Sequence, residues 1–102
     1  MKSIAEIRRQ LAAGLFEFSR HAFRRAVERN ISETEIREAG ASAEVVEDYP
    51  EDRNSPSAML LGFVAAGRPL HFQVSFGDPD LTKIITIYEP EPSQWIEFRK
   101  RR

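Results

Sequence analysis

Ala58-Met59-Leu60-Leu61-Gly62-Phe63-Val64-Ala65 is a nearly unbroken apolar run, closed by Ala66-Gly67-Arg68-Pro69. His71-Phe72-Gln73-Val74-Ser75-Phe76 follows, with polar and apolar residues in alternation. A short apolar run bounded by turn residues fits a strand covered on both faces, and alternation fits a strand with one face on a core. Upstream, Ala43 to Tyr49 predicts a strand, ended by the polar loop Pro50-Glu51-Asp52-Arg53-Asn54-Ser55-Pro56. Downstream, Gly77-Asp78-Pro79-Asp80 is a turn, Lys83 to Tyr88 predicts another strand, and Glu89-Pro90-Glu91-Pro92 breaks it. Ser93 then caps an expected last helix that carries Trp95, Ile96 and Phe98 and ends in Arg99-Lys100-Arg101-Arg102.

Before Gly40 the period is helical. Ile4, Ile7 and Leu11 recur on one helix face between Ser3 and Ala13, with Ser3 as cap and Gly14 as stop. Leu15-Phe16-Glu17-Phe18 suits a brief extended segment. Ser19 caps a helix from Arg20 to Arg29, and Asn30 suits its left-handed end. Ser32-Glu33-Thr34-Glu35 fits a capping box opening a third helix that ends near Gly40. Helices first and hairpin-linked strands after them predict an α+β fold: N-terminal helices on a mostly antiparallel sheet of about four strands, with a C-terminal helix. The 102 residues are read as one domain.

Absence of cysteine excludes disulfides, Cys-ligated zinc and thiol catalysis. The longest apolar stretch, Ala58 to Gly67, is about half of the ~20 residues a membrane helix needs. Met1-Lys2-Ser3-Ile4-Ala5-Glu6 meets charge within one turn, unlike a signal peptide, so a cytoplasmic location is expected. The formal net charge of −1 conceals segregation: residues 1–32 carry net +4, 33–53 net −6, 54–93 net −2 and 94–102 net +3. Such an arrangement permits a basic face despite a neutral average. The terminal Arg99-Lys100-Arg101-Arg102 suits a nucleic-acid backbone or a solubilising tail.

At 100° per residue, His21, Arg25, Glu28 and Arg29 share one helical stripe, leaving Phe23, Ala26 and Val27, with Ala22 beside them, to face inward. One imidazole and two guanidinium forks make a surface suited to phosphate. The alternatives are a solvated charged face, or His21 and Arg25 bracing the helix against the sheet. His71 shares a strand face with Gln73 and Ser75, and Thr86 with Tyr88. No spaced histidine-carboxylate motif suggests a metal, and no glycine-rich phosphate loop, dinucleotide fingerprint or nucleophile motif is present, so no cofactor is expected.

Ser19-Arg20-His21-Ala22-Phe23-Arg24-Arg25-Ala26-Val27-Glu28-Arg29-Asn30-Ile31-Ser32, with Arg68-Pro69-Leu70-His71 and Ile84-Ile85-Thr86-Ile87-Tyr88-Glu89-Pro90 followed by Trp95, resembles the domain-of-unknown-function family forty-two fifty-eight. The resemblance covers about residues 17–98, and the leading helix lies outside it. Arg24 and Ala26 depart from the family's pattern, Arg24 by adding a positive charge. That family is similar to RelE-type and MqsR-type toxins, metal-independent endoribonucleases of bacterial toxin–antitoxin modules. The resemblance implies a RelE-like fold, RNA (mRNA among the candidates) as substrate, and a cognate antitoxin as partner, a zinc-ribbon protein being one candidate.

Metal-free RNA cleavage uses the 2′-hydroxyl as nucleophile. It requires two proton-exchanging groups and fixed cations for the phosphorane. His21 and His71 are the expected acid–base pair and Arg25 and Arg29 the stabilising cations. Tyr88 supplies a hydrogen bond or a stacking face, and Arg24 and Thr86 contact RNA. The competing expectations are a non-enzymatic RNA- or protein-binding module and a degenerate toxin relative that regulates.

Overall fold

Three serines start the three helices. A computed structural model describes residues 2–102 of the chain. Helices α1 (Ile4–Ala12), α2 (Arg20–Glu28) and α3 (Glu33–Ala41) flank a first strand, β1 (Phe16–Phe18). The hydroxyls of Ser3, Ser19 and Ser32 accept the N–H groups of Glu6, Ala22 and Glu35 at 3.2, 3.0 and 3.1 Å. Glu35 returns the bond to the Ser32 N–H at 2.9 Å, completing the capping box. Gly14 and Asn30 end α1 and α2 in the left-handed region, with φ of 78° and 55°.

The strands β2 (Glu44–Tyr49), β3 (Ser57–Phe63), β4 (Pro69–Ser75) and β5 (Thr82–Tyr88) form an antiparallel meander. The short segment expected only as extended chain adds a fifth strand, parallel to β5, so the order is β1-β5-β4-β3-β2. The fold is α+β, three helices against a mostly antiparallel sheet. Leu60, Leu70, Phe72, Val74, Ile84 and Ile87 meet Ile7, Leu11, Ala22 and Ile36 in one core. Each of these side chains other than that of Ala22 stabilises the fold by roughly 1.5–3 kcal/mol. A Cβ at Gly62 would lie 2.1 Å from the Ala39 carbonyl oxygen, so only glycine lets α3 sit this closely on β3.

Two expectations fail. No helix follows Ser93: β6 (Trp95–Ile96) and β7 (Lys100–Arg101) form a small hairpin instead. The chain reverses at Glu97 and Phe98, whose φ values of 51° and 61° place both in the left-handed region, and the Arg99 N–H donates to the Ile96 carbonyl at 3.0 Å. Long-range contacts override the local helical preference of so short a terminal segment. The Trp95 ring stands edge-on to His71 with centroids 4.4 Å apart, and Phe98 meets Phe63 in the same way at 6.3 Å. Arg99 binds Glu44 at 2.7 Å, and Arg101 binds Glu47 through two bonds of 2.7 and 3.1 Å while lying 4.6 Å over Trp95.

The hairpin thereby covers part of the sheet face opposite the helices, burying Met59, Leu61 and His71. Secondly, Phe23 and Val27 do not turn inward but stand 59% and 65% exposed. Only Ala22 and Ala26 of α2 are buried, because small side chains let the helix lie close to the sheet.

Among the described residues, no helix is long and apolar enough to cross a membrane.

Candidate active site between helix α2 and strand β5

β1 stops at Phe18 and pairs only with Thr82, Lys83 and Ile84, leaving the second half of β5 without a strand neighbour on that side. α2 follows β1 at once in the chain and packs against β5. Its start is pinned there by the Ser19 hydroxyl, which donates to the Ile85 carbonyl at 2.7 Å, and by the Ser19 N–H on the Ile84 carbonyl at 2.9 Å. Its end is held by Arg68, which donates to the carbonyls of Arg29 and Asn30 at 2.8 and 3.2 Å. The same guanidinium binds Glu35 at 3.1 Å and Glu89 at 2.7 Å, a network that ties α2, α3 and the end of β5 together. Hydrogen bonds from the Ser32 backbone and Arg68 hold the Glu35 carboxyl below its ordinary pKa.

A cleft of about 280 Å³ lies between helix and strand, lined by His21, Arg25 and Arg29 on one side and by Thr86, Ile87 and Tyr88 on the other. Glu89, Glu91 and Gln94 close one end. His21 is exposed and, among the described residues, makes no hydrogen bond, and Arg25 pairs there only with Glu28, at 3.9 Å, so neither braces the helix to the sheet. Arg24 points elsewhere on α2 and does not line the cleft. A larger hollow of about 800 Å³ on the uncovered part of the opposite sheet face holds Glu17, Asp52 and Asp78 but none of the expected residues.

His71 is not in the cleft. It is fully buried beneath the hairpin, one strand in from Tyr88, and cannot touch a substrate bound beside α2. Its ring nitrogens are nevertheless committed: Nε2 lies 2.6 Å from the Phe98 carbonyl and Nδ1 lies 3.1 Å from the Tyr88 hydroxyl. A carbonyl only accepts, so Nε2 carries the hydrogen; Nδ1 of the neutral ring is then the acceptor, and the Tyr88 hydroxyl donates to it. Burial lowers the His71 pKa, against opposing contributions from the Phe98 carbonyl and Glu47. Burial raises that of Tyr88. Tyr88 thus joins the cleft to a buried imidazole.

Alternation along β4 marks His71 as one of a polar row but says nothing about what covers the row. Glu91 and Gln94 were missed as cleft residues because the segment around them reads as a breaker and a helix cap; a single turn, with the Trp95 N–H on the Glu91 carbonyl at 3.2 Å, brings them to the opening. Among the described residues, no group of three or more histidine, aspartate or glutamate side chains is arranged to hold a metal ion.

The family described as Domain of unknown function (DUF4258) matches residues 18–89, and the chain belongs to it. The match includes every residue of the α2–β5 contact and His71, and it ends before the hairpin. No curated protein and no solved structure matches the chain.

Proposed function

We propose that this member of the family is a toxin-type, metal-independent endoribonuclease with a RelE-like fold, cleaving single-stranded RNA in the α2–β5 cleft and held in check by an antitoxin. The observation that carries the reading is the meeting of His21, Arg25 and Arg29 with Thr86 and Tyr88 in one open cleft. Two guanidiniums beside a phosphate favour the phosphorane over the ground state because it carries the greater negative charge. The Tyr88 hydroxyl takes the 2′-hydroxyl proton while passing its own to Nδ1 of His71, whose Nε2–H stays on the Phe98 carbonyl. The 2′ oxygen attacks phosphorus, and protonated His21 gives its proton to the departing 5′ oxygen. The products are a 2′,3′-cyclic phosphate and a free 5′-hydroxyl. Return of the proton from His71 through Tyr88, and reprotonation of His21 from solvent, restore the site. Thr86 is a contact along the RNA; Arg24, which does not line the cleft, has no part in this reading.

A binding module is the second reading, favoured by Glu89 and Glu91 at the cleft, since carboxylates there oppose the added negative charge of a phosphorane more than that of a bound phosphodiester. Incubation of the purified chain with labelled single-stranded RNA in excess chelator separates the two. Cleavage to cyclic-phosphate ends, lost in His21→Ala, Arg25→Ala and Tyr88→Phe, supports the enzyme. RNA retained uncut by wild type and variants alike supports the module, and neither outcome with RNA points to a regulatory protein contact.

A further inference from the structure

α2 has a third flank that neither the core nor the cleft uses. Phe23 and Val27, one turn apart, stand exposed above a groove of about 340 Å³ whose walls include Phe18, Ala26 and Ile31. Phe18 and Phe23 meet edge to face with centroids 6.1 Å apart, which makes the floor firm. An aromatic and a branched aliphatic side chain left together in water on so short a helix mark a surface that another molecule covers. Arg20 and Arg24 border this strip on the side that leads round to His21. Among the described residues, neither has a carboxylate within ion-pair distance. The first turn of α2 contains no acidic residue either.

We infer that this flank docks an acidic, amphipathic segment of a partner protein, with apolar side chains against Phe23 and Val27 and carboxylates on Arg20 and Arg24. Asn30, Ser32 and Glu33 line the groove away from Arg20 and Arg24, and the Glu33 carboxylate there repels a phosphate backbone, so a peptide with its carboxylates toward the two arginines matches the flank better than RNA does. The inference stands whether or not the neighbouring cleft cuts RNA. Its consequence is positional: a segment seated here lies one helical face from His21 and Arg25, close enough to govern entry to the cleft.

The test uses the full chain and two fluorescein-labelled synthetic peptides of sixteen residues. Both carry leucine at helical spacing; one has glutamate at every other position and its twin has lysine there. Anisotropy titration is expected to show the glutamate peptide binding at least tenfold more tightly than the lysine twin. The double variant Phe23→Ser, Val27→Ser should lose at least tenfold, and Arg24→Glu at least threefold, with circular dichroism melts like that of wild type because all three side chains are exposed. Equal binding of the two peptides, binding of neither, or undiminished binding by the double variant overturns the proposal. So does a sedimentation result in which wild type is a dimer and the double variant a monomer, which makes the occupant a second copy. Loss of labelled single-stranded RNA by the double variant, without loss of the glutamate peptide, assigns the flank to nucleic acid instead.

Discussion

Two short segments carry four cations each: α2 with its boundary residue, through Arg20, Arg24, Arg25 and Arg29, and the chain end, through Arg99, Lys100, Arg101 and Arg102. They meet different surroundings. The terminal arginines fold back onto the acidic strand β2, Arg99 on Glu44 and Arg101 on Glu47, and Arg102 donates to the Pro92 carbonyl at 2.8 Å. On α2 the sole ion pair among the described residues is Arg25 with Glu28, at 3.9 Å. A cation already placed against a carboxylate holds a hairpin down; one without a carboxylate is available to a phosphate or a partner. The difference lies in what the sheet presents to each segment.

The sharpest way to break this contrast is kinetic. Arg25→Ala and Arg29→Ala should each lower RNA cleavage about a hundredfold or more, the usual effect of removing one donor from a developing anion, with little change in melting temperature. Arg99→Ala and Arg101→Ala should leave cleavage within about threefold, since surface ion pairs far from the reacting atoms contribute little to a barrier. Equal losses from both segments would show that pairing does not separate them. Tyr88→Phe should cost roughly a hundredfold in rate, the lower end of what a proton-transfer group contributes, with the RNA dissociation constant nearly unchanged.

Stability should rank the segments the other way. Arg101 is more than half exposed, so its pair with Glu47 and its seat over Trp95 together are worth on the order of 1 kcal/mol after solvent screening. Arg101→Ala should therefore lower the melting temperature by about 4 °C, read by differential scanning calorimetry, and Arg25→Ala should not.

The two hairpin-covered groups fix a pH dependence. The Arg101 hydrogen bond holds the Glu47 carboxyl below its ordinary value, so its stabilisation is complete above that value and lost as pH falls through the lowered one. Burial keeps His71 from a proton that the unfolded chain takes up near 6.5, so stability falls as pH drops below that point. Urea unfolding at successive pH values should show both declines. His71→Asn removes the first encountered on acidification, and Arg101→Ala weakens the second. The smallest effect is in salt: removal of Arg25 or Arg29 should each lower the slope of log affinity for RNA against log salt by about 0.7, and tail substitutions should not.

Local chemistry was legible where it is local. Ser3, Ser19 and the Ser32–Glu35 pair announce helix starts, Gly14 and Asn30 announce helix ends, and alternation sorts the faces of the meander. The stripe of His21, Arg25 and Arg29 follows from helical spacing, as Thr86 and Tyr88 follow from strand spacing. That stripe and strand meet depends on β1 ending at Phe18, which three residues of sequence do not reveal. Glu97 and Phe98 give no hint of a left-handed turn, because glycine or asparagine usually marks one. The cover over His71 was hidden for the same reason. Phe23 and Val27 read as core because an apolar residue on a helix faces inward by default, and here two alanines already fill that place.

The parallel pairing of β1 with β5 has a consequence for the order of assembly. Phe16 finds Thr82 across sixty-six positions (16 to 82), the longest-range strand contact in the sheet. Closing so long a loop is entropically costly, and contacts of this kind form late. A chain emerging N-terminus first displays α2 and its arginines long before β5 exists, yet has no cleft. Any activity that needs both walls is withheld until β5 has been made.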